Sequence, residues 1–197
     1  MNLSDSYTDE LHQLRSGSAG LVAVFSAHRR RLHQLIDLRL DTRLRGRVDT
    51  DDLLQEVFLV MSRRLDGYLT NARVPPYVWF RKLALQIVAD HHRRHLGASR
   101  RTATCEEPAF DSALMGSLTT PSGAAIRTEE AALLVEALAF IPEGDREILF
   151  MRHYENMSNR EVAFELGVNE SAASKRYVRA LTKLRSQLHQ LNSSTES

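Results

Sequence analysis

One stretch constrains this chain more than any other: "SNREVAFELGVNESAASKRYVRAL", residues 158–181. Ser158 and Glu161 stand in the S-x-x-E spacing of a capping box, which satisfies two free backbone donors at a helix start. Gly167 closes that helix, and Asn169 is placed to cap the next. A short helix, a tight glycine turn and a second helix form a helix-turn-helix, the arrangement that sets the second helix into a DNA major groove. At about 100° per residue, Ala173, Tyr177, Ala180, Leu181, Leu184 and Leu188 share one face of that second helix. Ser171, Lys175, Arg179 and Thr182 lie opposite, with Ala172 and Lys183 at one margin and Arg176 nearer the apolar border. The helix is thus expected to pack through its Leu/Tyr face and to offer small or cationic side chains outward. Arg and Lys can read base edges there, and the other cations can hold phosphates. A solvated amphipathic helix would also carry surface lysines, but the capped helix and turn before it favour DNA.

The formal net charge of +1 hides strong segregation. Residues 28–47 hold seven arginines against Asp37 and Asp41, and residues 78–101 hold six cations against Asp90. Residues 106–147 hold nine acids against Arg127 and Arg146. Such alternation suggests anion-binding surfaces separated by an acidic spacer. The single cysteine, Cys105, allows no internal disulfide and fits a reducing compartment. The N-terminus lacks an apolar signal core, and no apolar run reaches the roughly 18–20 residues of a membrane span. A soluble, cytoplasmic protein is expected.

Apolar residues recur mostly at helical spacing, so the expected class is all-α, as two small helical domains joined by a flexible linker. Residues 1–19 are expected to be a disordered N-terminus, 20–97 a helical bundle, 98–128 the linker, 129–191 the helix-turn-helix domain and 192–197 a disordered tail. Inside the bundle, Asp49 or Thr50 can cap "DTDDLLQEVFLVMSRRLDGYL", and "TNARVPP" forces a loop before the helix "YVWFRKLALQIVADHHRRHL".

Two bundle constellations could carry function. The acids around Asp52 and Glu56 suit N-terminal capping plus a protein-docking surface better than acid–base or metal chemistry, since no histidine or second acidic cluster accompanies them. "RVPPYVWFRKLALQIVADHHRR" mixes cations with Tyr77, Trp79 and Phe80, a combination suited to single-stranded nucleic acid. Trp79, Leu83 and Ile87 could equally be core, with Arg81, Lys82, Gln86, Arg93 and Arg94 facing outward. His91 and His95 stand four apart, but crowding arginines argue against zinc; no metal or cofactor is expected, and the chain does not read as an enzyme.

In these motifs the chain resembles the sigma-70 family in its short extracytoplasmic-function (ECF) form. "DTDDLLQEVFLVM" is similar to the family's region 2.2, "WFRKLALQIVADHHRR" to regions 2.3–2.4, and "LAFIPEGDREILFMRHYENMSNREVAFELGVNESAASKRYVRALTKLR" to region 4. "DLLQEVF" and "LTTPSGAAIR" also look like ECF factors of planctomycete type. The resemblance implies a dissociable initiation subunit of bacterial RNA polymerase. Asp52, Leu53, Gln55, Glu56 and Phe58 would dock the beta-prime clamp helices of core, and the beta flap would be a second contact. Asn71, Arg73, Trp79, Lys82, Gln86, Arg93 and Arg94 would open and read the minus-ten element as single strand. Ser171, Ala172, Lys175, Arg176, Arg179 and Lys183 would read the minus-thirty-five element as duplex. The acidic linker would thread the polymerase channels, and an anti-sigma factor is the implied kind of regulator. Melting needs no bond chemistry: extruding a base costs a few kcal/mol, which a pocket for it offsets.

The chain departs from the family where Leu85 and Gln86 replace the usual Arg and Asn of region 2.4, and where Ala173 replaces the common Val or Ile of the recognition helix. A helix-turn-helix regulator that binds duplex DNA without polymerase is the alternative, and it leaves the acidic and aromatic helices without a role. A metal-dependent nuclease would need a further acidic ligand, and a pure sequestering protein would not need the cationic face.

Overall fold

The computed structural model describes residues 3–41, 43–95 and 124–195, the side chains of 3–6, 124–129 and 194–195 excepted. Among the described residues the protein is all-α, with eight helices and no strand. They are α1 (Leu3–Leu14), α2 (Ser18–Arg39), α3 (Thr50–Thr70), α4 (Pro76–His95), α5 (Ala124–Ala139), α6 (Glu143–His153), α7 (Asn159–Leu166) and α8 (Glu170–Thr195). Two compact units divide the chain, Met1–Glu107 with α1–α4 and Pro108–Ser197 with α5–α8. The expected linker, 98–128, lies outside the described residues except for its last five, which open α5. Among the described residues no helix is long and apolar enough to cross a membrane.

In the first unit α2, α3 and α4 pack mutually, and Leu32, Leu35, Ile36, Val57, Met61, Tyr77, Val78 and Phe80 are fully buried between them. Removing such side chains from water is the main stabilising contribution, about 1.5–3 kcal/mol for each large one. Asp49 begins α3 by accepting from the Asp51 amide at 2.8 Å, with Asp51 and Asp52 in the positive first turn.

Residues 1–19 were expected to be disordered, but those described, from Leu3 on, are not. Residues 3–14 form α1, whose Leu14 is fully buried, and α1 packs against α2. Tyr7, Leu11 and Leu14 recur at i, i+4 and i+7, a stripe too short to outweigh its polar neighbours in the sequence but sufficient once α2 covers it. Gly17 turns the chain at φ 83°, and Gly20 lets α2 cross α1 closely: a Cβ there would lie 1.7 Å from the Gln13 carbonyl oxygen. The expected tail is likewise ordered through Thr195, since α8 continues to that residue, and 196–197 lie outside the described residues.

At the far end of the bundle the Asp41 amide donates to His92 Nε2 at 3.2 Å, tying the end of α4 to the α2–α3 connection. Desolvation pulls the His92 pKa below its ordinary value, while the bonded Arg43 side chain holds the Asp41 carboxyl at about 2. A depressed histidine contributes stability that is present above its unfolded pKa and lost as pH falls below it. The melting temperature should therefore fall between pH 7 and pH 5, and less steeply in His92→Gln, which keeps an acceptor but does not titrate; parallel profiles would exclude this bond as the source. Gly20→Ala should destabilise the first unit by about 1–3 kcal/mol through the clash with Gln13, measured by denaturant unfolding.

Candidate nucleic-acid interface

The second unit builds its exposed cationic surface from local rules. Ser158 Oγ accepts from the Glu161 amide at 3.2 Å while Glu161 Oε2 accepts from the Ser158 amide at 2.7 Å, a complete capping box at the start of α7. Gly167 ends α7 in the left-handed region at φ 63°, where a side chain would be strained. Asn169 Oδ1 then accepts from the Ala172 amide at 2.8 Å, and Asn159 Nδ2 donates across the turn to the Glu170 carbonyl at 2.9 Å. These bonds set the angle at which α8 leaves the turn. Ala173 and Ala180 are fully buried, so α8 lies close on its neighbours with its apolar face inward, as the periodicity predicts.

Ser171, Lys175, Arg176 and Arg179 are exposed on α8, and Ala172 is half-buried. Lys183 is spoken for: its Nζ bonds Asp145 Oδ2, and Arg179 Nη2 stands 3.8 Å from Asp145 Oδ1. Asp145 is buried in the first turn of α6, so this carboxylate draws two α8 cations toward the unit's own framework. Arg176, placed near the apolar border by the helical wheel, is exposed. Ser174 and Val178, the latter 59% exposed, share this surface and were not among the expected contacts. Their positions between Ser171, Lys175 and Thr182 were the available signal, which an assignment built on charge passes over.

In the first unit the acidic helix divides differently from expectation. Asp52 and Gln55 are exposed, but Leu53 is 1% exposed and belongs to the core, so it cannot lie on a docking surface. Burial between α2 and α3 claims it because it falls one position round the helix from Asp52. Phe58 is half-buried with its ring edge-on to Phe25 at 5.1 Å, and Glu56 Oε2 lies 2.8 Å from His91 Nε2. Leu59, 53% exposed, stands one turn beyond Gln55 on the same outer side of α3.

The aromatic basic helix shows the same sorting. Trp79 stacks on Tyr68 with ring centroids 4.2 Å apart and planes within 2°. Arg81 is only 2% exposed and does not face outward as expected; its whole side chain is buried on the same face of α4 as Val78 and Ala84. Lys82, Gln86, Arg93 and Arg94 are exposed, with Arg64 Nη1 donating to Gln86 Oε1 at 3.4 Å and Arg93 paired to Asp90. Asn71 and Arg73 are exposed in the loop, joined by a 2.8 Å bond from Arg73 Nε to Asn71 Oδ1. The 28–47 arginine block is partly neutralised internally through Arg29–Asp51, Arg43–Asp41 and Arg45–Asp37, which weakens it as an anion surface. His91 directs Nε2 at Glu56 while its ring lies 5.8 Å from that of His95, and no grouping of three metal-ligating side chains occurs among the described residues.

Comparison with known proteins agrees with this geometry. Residues 131–184, from α5 into α8, match the family model of sigma-70 region 4. Over 143 residues, 72% of this chain, the sequence is 30% identical to a probable RNA polymerase sigma factor, RfaY, of Xanthomonas campestris pv. campestris. The chain spans about a third of that curated relative's length, 34%. The fold is similar to that of CnrH, solved in complex with the cytosolic domain of CnrY, with a TM-score of 0.54 over 92% of this chain and 95% of that one at 18% identity.

Asp145→Asn should leave Lys183 and Arg179 without their carboxylate and cost the second unit about 1–3 kcal/mol, since bonds to charged groups are worth that much. Equal urea midpoints for the variant and the parent would show that the pair is a surface ornament only.

Proposed function

We propose that the chain, whose residues 131–184 match the family model of sigma-70 region 4, is an ECF-type sigma factor. It binds bacterial core RNA polymerase and directs promoter-specific initiation. The observation that carries this reading is a helix-turn-helix of sigma-70 region 4 whose second helix turns Ser171, Lys175, Arg176 and Arg179 to solvent. In this reading those side chains contact the minus-thirty-five element in the major groove, where Arg and Lys suit guanine edges and phosphates. Val178 and Ser174 belong to the same contact surface, while Lys183, held by Asp145, serves mainly to brace α8.

The first unit supplies the other two contacts. Exposed Asp52, Gln55 and Leu59 form a polar stripe ending in an apolar side chain on α3, fitted to a helical partner on core polymerase, with Glu56 and Phe58 at its edge. Asn71, Arg73, Trp79, Lys82, Gln86, Arg93 and Arg94 combine cations with an aromatic platform and suit the minus-ten element as single strand. A sequestering protein is the proposed form of control; the fold relative CnrH is itself held by the cytosolic domain of CnrY.

Run-off transcription with purified bacterial core polymerase on genomic fragments tests the reading. Discrete transcripts that depend on this protein are expected, and absence of both transcripts and core binding would favour a duplex-only regulator. Arg179→Ala should lower transcription from those promoters by about tenfold with core binding intact, the size expected for one lost base contact. Asp52→Ala or Gln55→Ala should weaken core binding instead; equal core affinity in all three variants would remove the docking role of α3.

A further inference from the structure

The loop between α3 and α4 is held from two helices by phenol hydroxyls. Tyr68 Oη, in the last turn of α3, donates to the Val74 carbonyl at 2.7 Å. Tyr7 Oη, on α1, donates to the Ala72 carbonyl at 3.1 Å. These two residues alternate with exposed Asn71 and Arg73, and the Arg73 amide closes a tight turn onto the Asn71 carbonyl at 2.8 Å. Trp79 stacks beneath on Tyr68, and Pro75 and Pro76 are buried where the loop enters α4. Burial raises the Tyr68 pKa above the ordinary tyrosine value, so its hydroxyl is a donor at neutral pH. Helix α1 is itself anchored at two further points, by the close crossing at Gly20 and by Glu10 Oε1, 3.2 Å from His28 Nε2.

We propose that α1, through Tyr7, completes a clamp on this loop with Tyr68 of α3: the two hydroxyls hold the Ala72 and Val74 carbonyls inward so that Asn71 and Arg73 stand as a preformed receptor for an unpaired nucleotide of single-stranded DNA. The proposal rests on the reading of the first unit as the minus-ten module. A free loop would lose backbone entropy at the moment of binding, and the clamp takes that loss at folding instead. The Asn71 amide can then meet a base edge while the Arg73 guanidinium meets a phosphate or a base face. Tyr7 touches no DNA and is a positioning residue.

The test compares the full chain with its Tyr7→Phe, Tyr68→Phe and double variants. One measurement is hydrogen exchange at Ala72, Arg73 and Val74. The other is affinity for a random-sequence single-stranded DNA pool of about 12 nucleotides, within the range of single-strand site sizes. Tyr7→Phe should speed exchange in the loop and weaken single-strand binding about fivefold, the value of one neutral hydrogen bond, while duplex binding stays unchanged. Because both hydroxyls act on one loop, the double variant should lose less than the product of the two single losses. Unchanged exchange and affinity in Tyr7→Phe, with the parent binding the pool, would overturn the clamp alone. A lower melting temperature with unchanged single-strand affinity would overturn it too, by making Tyr7 merely structural. Failure of the parent to bind the pool, with loop exchange still faster in Tyr7→Phe, would overturn the receptor and the minus-ten reading together.

Discussion

A helix end leaves backbone donors or acceptors without partners, and the way this chain satisfies them decides where its functional side chains point. Ser158 and Glu161 close the start of α7, Gly167 takes the left-handed conformation at its end, and Asn169 caps α8. Together they aim a 26-residue helix whose outer face carries Lys175, Arg176 and Arg179. In the first unit the Asp49 side chain starts α3, and two tyrosine hydroxyls take up carbonyls of the loop that follows it. Each functional surface thus hangs on a few directional bonds at an element boundary, beneath a core that is otherwise non-directional.

Charge in this protein divides into side chains that brace the framework and side chains left for partners. Asp145 holds Lys183 and approaches Arg179, so α8 is tied to α6 by the same kind of cation that it offers outward one turn earlier. Three of the seven arginines of α2 and its following turn, Arg29, Arg43 and Arg45, are paired to Asp51, Asp41 and Asp37. Exposed pairs of this kind contribute little, typically 1 kcal/mol or less, but they lower the free positive charge that a polyanion would meet. Exposed cations remain at Lys82 and Arg94 on α4 and at Lys175 and Arg176 on α8.

Much of the fold was legible because helical period, capping boxes and glycine turns are contained within a few residues. The capping box at Ser158 and the turn at Gly167 were readable in this way, and so was the start of α3 at Asp49. Helix α1 was missed because its apolar stripe is only three residues and gains meaning from a surface on α2. Leu53 is a docking residue only by the family resemblance, whereas the apolar periodicity of α3 and its burial put it in the core. Arg81 was read outward because arginine usually is, yet α4 turns it inward beside Val78.

Local sequence determined the all-α class, the helix-turn-helix and the cationic character of α8, since those follow from residue type and from neighbours within about one helical turn. Tertiary structure alone decided that Lys183 braces α6, that Arg81 is buried on α4, and that a tyrosine at position 7 reaches a carbonyl 65 residues away. The reason is that burial and pairing depend on which surfaces meet, and those contacts join residues far apart in the chain.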